Sequence, residues 1–169
     1  IYTGVIERLE GSAQATERWD RLLARRSRVF GHATDDQHVP EDRFIAWNCV
    51  QWPTEENPTA HAIVDALANG RFYASTGVTI EHLGVNGRGN QIIIESDAEA
   101  IHWIGAGGIV VHKTMGGCAH LAVDDLSRCP FVPRREGGKV DFKKLLYLRV
   151  ECFGRGSAKA WTQPFWLEC

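Results

Sequence analysis

The chain has 169 residues, a formal net charge of -2, 44% hydrophobic residues and 24% charged ones. That is enough for one domain with a core, or one domain plus a small appendage, and the lack of a basic surplus argues against an electrostatic nucleic-acid binder. No signal peptide and no apolar run near the ~20 residues of a membrane span is legible, and five cysteines without C-x-x-C spacing suggest neither a zinc knuckle nor a disulfide framework, so the expected setting is a reduced cytoplasm.

Ile1 reads as the middle of a strand, as in a shortened chain, and residues 1–6 are β-prone up to a loop at 11–13. Thr16 is the expected N-cap of a helix, with Glu17 at its positive end and Trp19, Leu22 and Leu23 on one face. Arg21, Arg25, Arg26 and Arg28 suit a solvated helix face better than a phosphate-attracting patch. Residues 29–33 predict a second strand, parallel to the first by a right-handed crossover. A polar turn at 39–43 and a strand over 44–52 follow. Asn57 and Pro58 are the expected cap and first residue of the next helix. Ala60, Ile63, Val64 and Leu67 form its buried stripe, His61 lies on its surface, and Gly70 stops it.

From Arg71 onward the pattern changes to hairpins. Strands are expected at 79–85 and 91–95 around Asn86-Gly87, at 101–104 and 109–113 around 105–108, and at 145–153 and 159–161 around 154–157, with 165–167 closing the chain. Leu146, Leu148, Val150 and Cys152 alternate onto one face, whereas 116–141 reads as a long loop with one turn of helix. This spacing suggests an antiparallel sandwich or half-barrel over residues 71–169, after a β/α portion at 1–70: an α+β chain. Trp103, Trp161 and Trp166 suit core and sheet packing better than a carbohydrate platform. Residues 84–89 imitate a phosphate loop, but no helix-forming stretch follows. Cys118 and His120 are better read as buried or incidental than as a metal pair.

One stretch concentrates ligand chemistry: Gly31-His32-Ala33-Thr34-Asp35-Asp36-Gln37-His38. Asp36 and His38 leave the predicted strand two residues apart, so alternation would point both to one side, where a carboxylate oxygen and an imidazole nitrogen suit a divalent metal. Asp35 and Gln37 would point the other way and could orient the ligands. His32 shares the parity of Asp36 but lies four residues back.

Four segments occur in this order: Trp19-Asp20-Arg21-Leu22-Leu23, the stretch from Gly31 to His38, Gly70-Arg71-Phe72-Tyr73-Ala74-Ser75-Thr76-Gly77, and Ala160-Trp161-Thr162-Gln163-Pro164-Phe165. Together they resemble the C-terminal part of the PHP (polymerase and histidinol phosphatase) superfamily of metal-dependent phosphoesterases. The resemblance implies that residues 1–70 are a short β/α remnant of a distorted barrel. It also implies that Asp36 and His38 are the family's last metal-ligand pair, for manganese, zinc or iron, and that the Ser75-Thr76 turn lies near the pocket. The family's N-terminal His-x-His has no counterpart in residues 1–34, where His32 is the one histidine.

A catalytic zinc needs about three protein ligands and an open position, so two ligands do not define a complete centre. The expected molecule is a truncated relative of a hydrolase, inactive alone. The alternatives are a non-enzymatic, β-rich partner-binding or structural module, and a phosphoesterase completed by oligomerisation or a missing N-terminal half and acting on a small phosphoester. Open barrel edges predict a homodimer, with exchange of the N-terminal segment as one route.

Overall fold

The structure, a computed structural model, describes residues 1–52, 57–87 and 90–167. It opens with β1 (Tyr2–Thr3), α1 (Gly4–Arg8), α2 (Thr16–Ala24) and β2 (Ala33–Thr34). Strands β1 and β2 pair in parallel, Tyr2 opposite Ala33, as the strand-helix-strand reading requires. The expected strand at 29–33 is nevertheless reduced to two residues and shifted forward. Gly31 explains part of this: a Cβ there would meet the Trp19 indole at 2.9 Å, so the segment is committed to close packing under α2 before it pairs. In α2 the capping position falls to Ala15, one residue before Thr16. Trp19 and Leu23 are buried together with Asp20, while Leu22 turns outward.

Next come β3 (Trp47–Val50) and α3 (Ala60–Ala68). The helix is capped by Thr59, whose hydroxyl accepts the Ala62 N–H at 3.2 Å, not by Asn57. Its inward face centres on Ala66, and Val64 is exposed, so the expected stripe was rotated by one position. Gly70 does end the helix at φ +71°, a left-handed value that glycine adopts without strain.

The rest is β-rich: β4 (Phe72–Ser75), β5 (Ile80–Val85), β6 (Gln91–Ser96), β7 (Ala100–Gly105), β8 (Ile109–Met115), β9 (Cys118–Ala122), the short helices α4 (Val123–Leu126) and α5 (Phe142–Leu145), then β10 (Tyr147–Phe153), β11 (Lys159–Thr162) and β12 (Phe165–Trp166). One sheet runs β3-β4-β11-β10-β7-β8, with β12 pairing β10, and a second runs β5-β6-β9. All three expected hairpins are present, joining β5 to β6, β7 to β8 and β10 to β11. The phosphate-loop imitation falls partly outside the described residues: Gly84 and Val85 belong to β5, and 88–89 are not described.

Strand β9 lies inside the stretch read as loop, where five residues between glycine and a helix gave too short an alternation to register. It turns Ala119 and Leu121 inward and leaves Cys118 and His120 exposed on one face, so that pair is not buried. Strand β3 hydrogen-bonds to β4, so the main sheet continues across the expected boundary at 70/71. Among the described strands the β1–β2 pair is the one parallel pairing, and no wider arc of a barrel accompanies it.

Between the sheets lies a core of Ile94, Ile101, Trp103, Leu121, Val150 and Cys152, with further apolar residues around them. On the other face of the large sheet, Tyr2 and Ala33 pack on Ala74 and Trp161, and Trp19 and Leu23 pack on Tyr147. The first 34 residues thus fold onto their own chain. This removes the open flank that motivated dimerisation by exchange of that segment.

The attachment includes a buried charge cluster. Arg149 is 1% exposed and donates to both oxygens of Asp20, at 2.8 and 2.6 Å, and to Glu151 at 2.7 Å. The Tyr147 hydroxyl donates to Asp20 at 2.8 Å, and the Trp19 ring lies 5.1 Å from the guanidinium carbon. Burial opposes the charge on Arg149, but the bonds to Asp20 and Glu151 outweigh it and raise its pKa.

Candidate metal centre

The loop that carries Asp36 and His38 is fixed from its root. Gly31 and Ala33 turn their peptide groups toward the large sheet, where two side-chain amides receive them. Asn48 accepts the Ala33 N–H at 3.0 Å and donates to the Ala33 carbonyl at 2.8 Å. Gln163 does the same for Gly31, at 2.9 Å in both directions. The carbonyl of His32, between them, faces the other way and accepts the Tyr2 N–H. Each amide therefore stands in for the peptide of a neighbouring strand, and the alternation of an extended chain decides which residues meet it.

Beyond β2 two carboxylates hold the backbone. Asp35 accepts the N–H groups of Phe44, Ile45 and Ala46 at 2.9, 2.8 and 2.8 Å. Asp42 is buried and accepts the N–H groups of His38 and Val39, both at 2.9 Å, together with the Arg8 guanidinium. The Arg8 bond, working against burial and aided by those two amides, lowers the pKa of Asp42 to about 2. Asp35, expected to orient the ligands, thus fixes the far side of the loop. The role of Asp42 was missed. Its signal was Pro40 at the first position of a 3-10 turn with an acidic residue at the third, where a carboxylate reaches back to the preceding amides.

Between these anchors Asp36 has φ +52° and donates its N–H to Thr34 Oγ1 at 3.2 Å. Its Oδ1 lies 3.6 Å from His38 Nε2, with the two side chains 50% and 68% exposed. Strand alternation does not produce this approach, because β2 ends at Thr34. The left-handed turn at Asp36 brings the pair together instead. A carboxylate oxygen beside an imidazole nitrogen is a donor pair that manganese, zinc and iron all accept. The residues present therefore fit part of a metal site. Among the described residues no group of three or more His, Cys, Asp or Glu is gathered in one place.

The remaining expected residues lie elsewhere in the scaffold. His32 stacks on Phe72 of β4, with ring centroids 4.5 Å apart and planes at 27°, and desolvation lowers its pKa. Ser75 is buried, donating to the Val78 carbonyl at 2.7 Å and accepting the Gly77 N–H at 2.9 Å. Thr76 accepts the Lys159 N–H at 3.0 Å. These hydroxyls shape the turn after β4 and tie it to β11. Gln37 is exposed.

No helix among the described residues is long and apolar enough to cross a membrane. No family model, curated protein or solved structure matches the chain.

Proposed function

We propose that this chain is a relative of the metal-dependent phosphoesterases of the PHP type, inactive alone, in which Asp36 and His38 hold one side of a divalent ion. One observation supports it above the others: the two donors lean together on a loop whose backbone is pinned on both flanks by Asp35 and Asp42. Precise ligand placement of that kind is what a metal site requires of its scaffold. When bound, such an ion would polarise a phosphate ester and acidify water. The chain's own part is to present the carboxylate and the imidazole at one place.

Hydrolysis requires ligands beyond this pair, so the chain by itself does not turn over phosphate esters. The test is a chromogenic phosphomonoester assayed with added manganese or zinc, beside Asp36→Ala. The expected result is no metal-dependent turnover above the variant. Metal-dependent turnover that disappears in Asp36→Ala would show that the chain completes its own centre, by assembly of copies, and would overturn the inactive reading.

A non-catalytic binding module is the second reading. Its support is the sandwich, whose core closes within residues 78–160 without help from the metal-ligand loop.

A further inference from the structure

We infer that the open side of the sandwich, between strands β3 and β5, is a binding site for a small organic cation, an ammonium group carried on an aromatic body. None of its lining residues belongs to the loop of Asp36 and His38, so the site stands apart from the metal-ligand reading. At one side of the sandwich β8 passes to β9 through Gly116 and Gly117, and Leu126, Cys129 and Val132 are buried in the shared core. At the other side β3 and β5 are the last strands of their sheets, and a cleft of about 530 Å³ lies there. That volume is within the ~300–1,000 Å³ of small-molecule sites. Cys49 stands opposite Tyr73 in the β3–β4 ladder, and the Tyr73 hydroxyl reaches β5, where it accepts the Ile80 N–H at 3.1 Å. Tyr73 and Leu83 also pack against the core, and Trp52 and Phe165 add aromatic surface to the lining.

The charges of the lining select a cation. Two lining side chains carry a full charge at neutral pH, Arg71 and Glu81. Arg71 is neutralised by Asp65, which it meets at 2.5 Å. Glu81 is exposed, and among the described residues no cation pairs with it. A bulge in β5 between Ile80 and His82 takes Glu81 out of register with β6, the kind of irregularity that re-aims a side chain beside a site. Asp97 brings a second negative charge to bear on Tyr73. Burial first, then the Cys49 thiol and the Asp97 charge, push the Tyr73 phenol up to about 12, so the ring stays uncharged. A cation beside aromatic rings is attracted by their quadrupoles, and an unbalanced carboxylate next to an apolar wall adds to that attraction. An anionic ligand would meet two carboxylates instead.

The test is calorimetric titration of the chain, without metal, with benzyltrimethylammonium, tetramethylammonium and benzyl alcohol, which are the whole ligand, its charge and its ring. Glu81→Gln and Glu81→Lys are compared with the unaltered chain, and both change an exposed side chain outside the core. Benzyltrimethylammonium should bind about five-fold or more tightly than either of the other probes. Glu81→Gln should lower its affinity about three- to ten-fold and Glu81→Lys further, while neither changes the affinity for benzyl alcohol. The place of binding is read from the cleft's own thiol. Saturating benzyltrimethylammonium should slow alkylation of Cys49 by iodoacetamide, and leave unchanged that of exposed Cys118 on β9, the far edge of the smaller sheet. An affinity for the cation no greater than for benzyl alcohol would overturn the proposal. So would an unchanged affinity in both Glu81 variants, or Cys49 alkylation that saturation does not slow. With no metal present, each of these outcomes leaves the metal-ligand reading untouched.

Discussion

Asp35 accepts the N–H of Phe44 at 2.9 Å, and Phe44 occupies φ +61° with its ring exposed. Holding an L-residue in the left-handed region costs about 1–2 kcal/mol, and three N–H bonds to one carboxylate offset that cost. Phe44→Gly should therefore be more stable than Phe44→Ala by about 1 kcal/mol, since both lose the ring and only glycine relieves the backbone. Urea unfolding of the two variants measures the difference. Equal stabilities would show that the left-handed turn carries no strain.

Asp42 links the loop to acid stability. Its folded pKa, about 2, lies below the ordinary 3.8, so its stabilising contribution is fully present above that ordinary value and is lost as pH falls toward about 2. In a series of melts between pH 6 and pH 2, the unaltered chain should lose melting temperature steeply through the lowest part of the range. Asp42→Asn should start lower and show a shallower decline. Parallel curves would mean that titration of Asp42 is not linked to folding.

The sequence revealed the sandwich more readily than the loop. Hairpins declare themselves locally: Asn86-Gly87, the glycines at 105–108 and Gly154 to Ser157 each sit between alternating runs, and the pairing follows. Strand β9 lacked that signal because its partner is β6, far back in the chain, and not an adjacent strand. Asp36 and His38 stood out by residue type and resemblance, but the cause of their approach is a left-handed backbone that alternation cannot foresee. Asp35 read as an orienter of the ligand pair and Asp42 as part of a polar turn, because their partners are main-chain amides, which carry no sequence letter.

The amide forks of Asn48 and Gln163 make a prediction about local opening. Asn48→Ala leaves the Ala33 N–H and carbonyl without their side-chain partner, and Gln163→Ala does the same for Gly31. Each should cost about 1–3 kcal/mol, the usual penalty for stranding polar groups away from water. Amide hydrogen exchange should speed up at Ala33 in the first variant and at Gly31 in the second. Unchanged exchange at both positions would contradict the strand-like role of these side chains.

Asp20 and Arg149 join α2 to β10 and should behave as a unit. Asp20→Ala leaves a buried guanidinium short of its main partner and should destabilise the chain by about 3–5 kcal/mol. The pair Asp20→Leu with Arg149→Met should lose less than the sum of the two single changes, because no unpaired guanidinium remains. Gly108→Ala should also destabilise: its Cβ would meet Asp20 Oδ2 at 2.8 Å, and the residue sits at φ +78°. Denaturant melts of the cycle settle the point, and additive losses would mean that the two side chains do not interact.

The function proposed above makes Asp36 and His38 a metal-ligand pair on a backbone fixed by Asp35 and Asp42. Its most direct test is a titration of the chain with manganese, followed by electron paramagnetic resonance, in the unaltered protein and in Asp36→Ala and His38→Ala. The unaltered chain should bind one manganese ion weakly, and each variant should lose about ten-fold or more in affinity, the equivalent of roughly 1.4 kcal/mol. Manganese affinity that is the same in all three proteins would contradict the account.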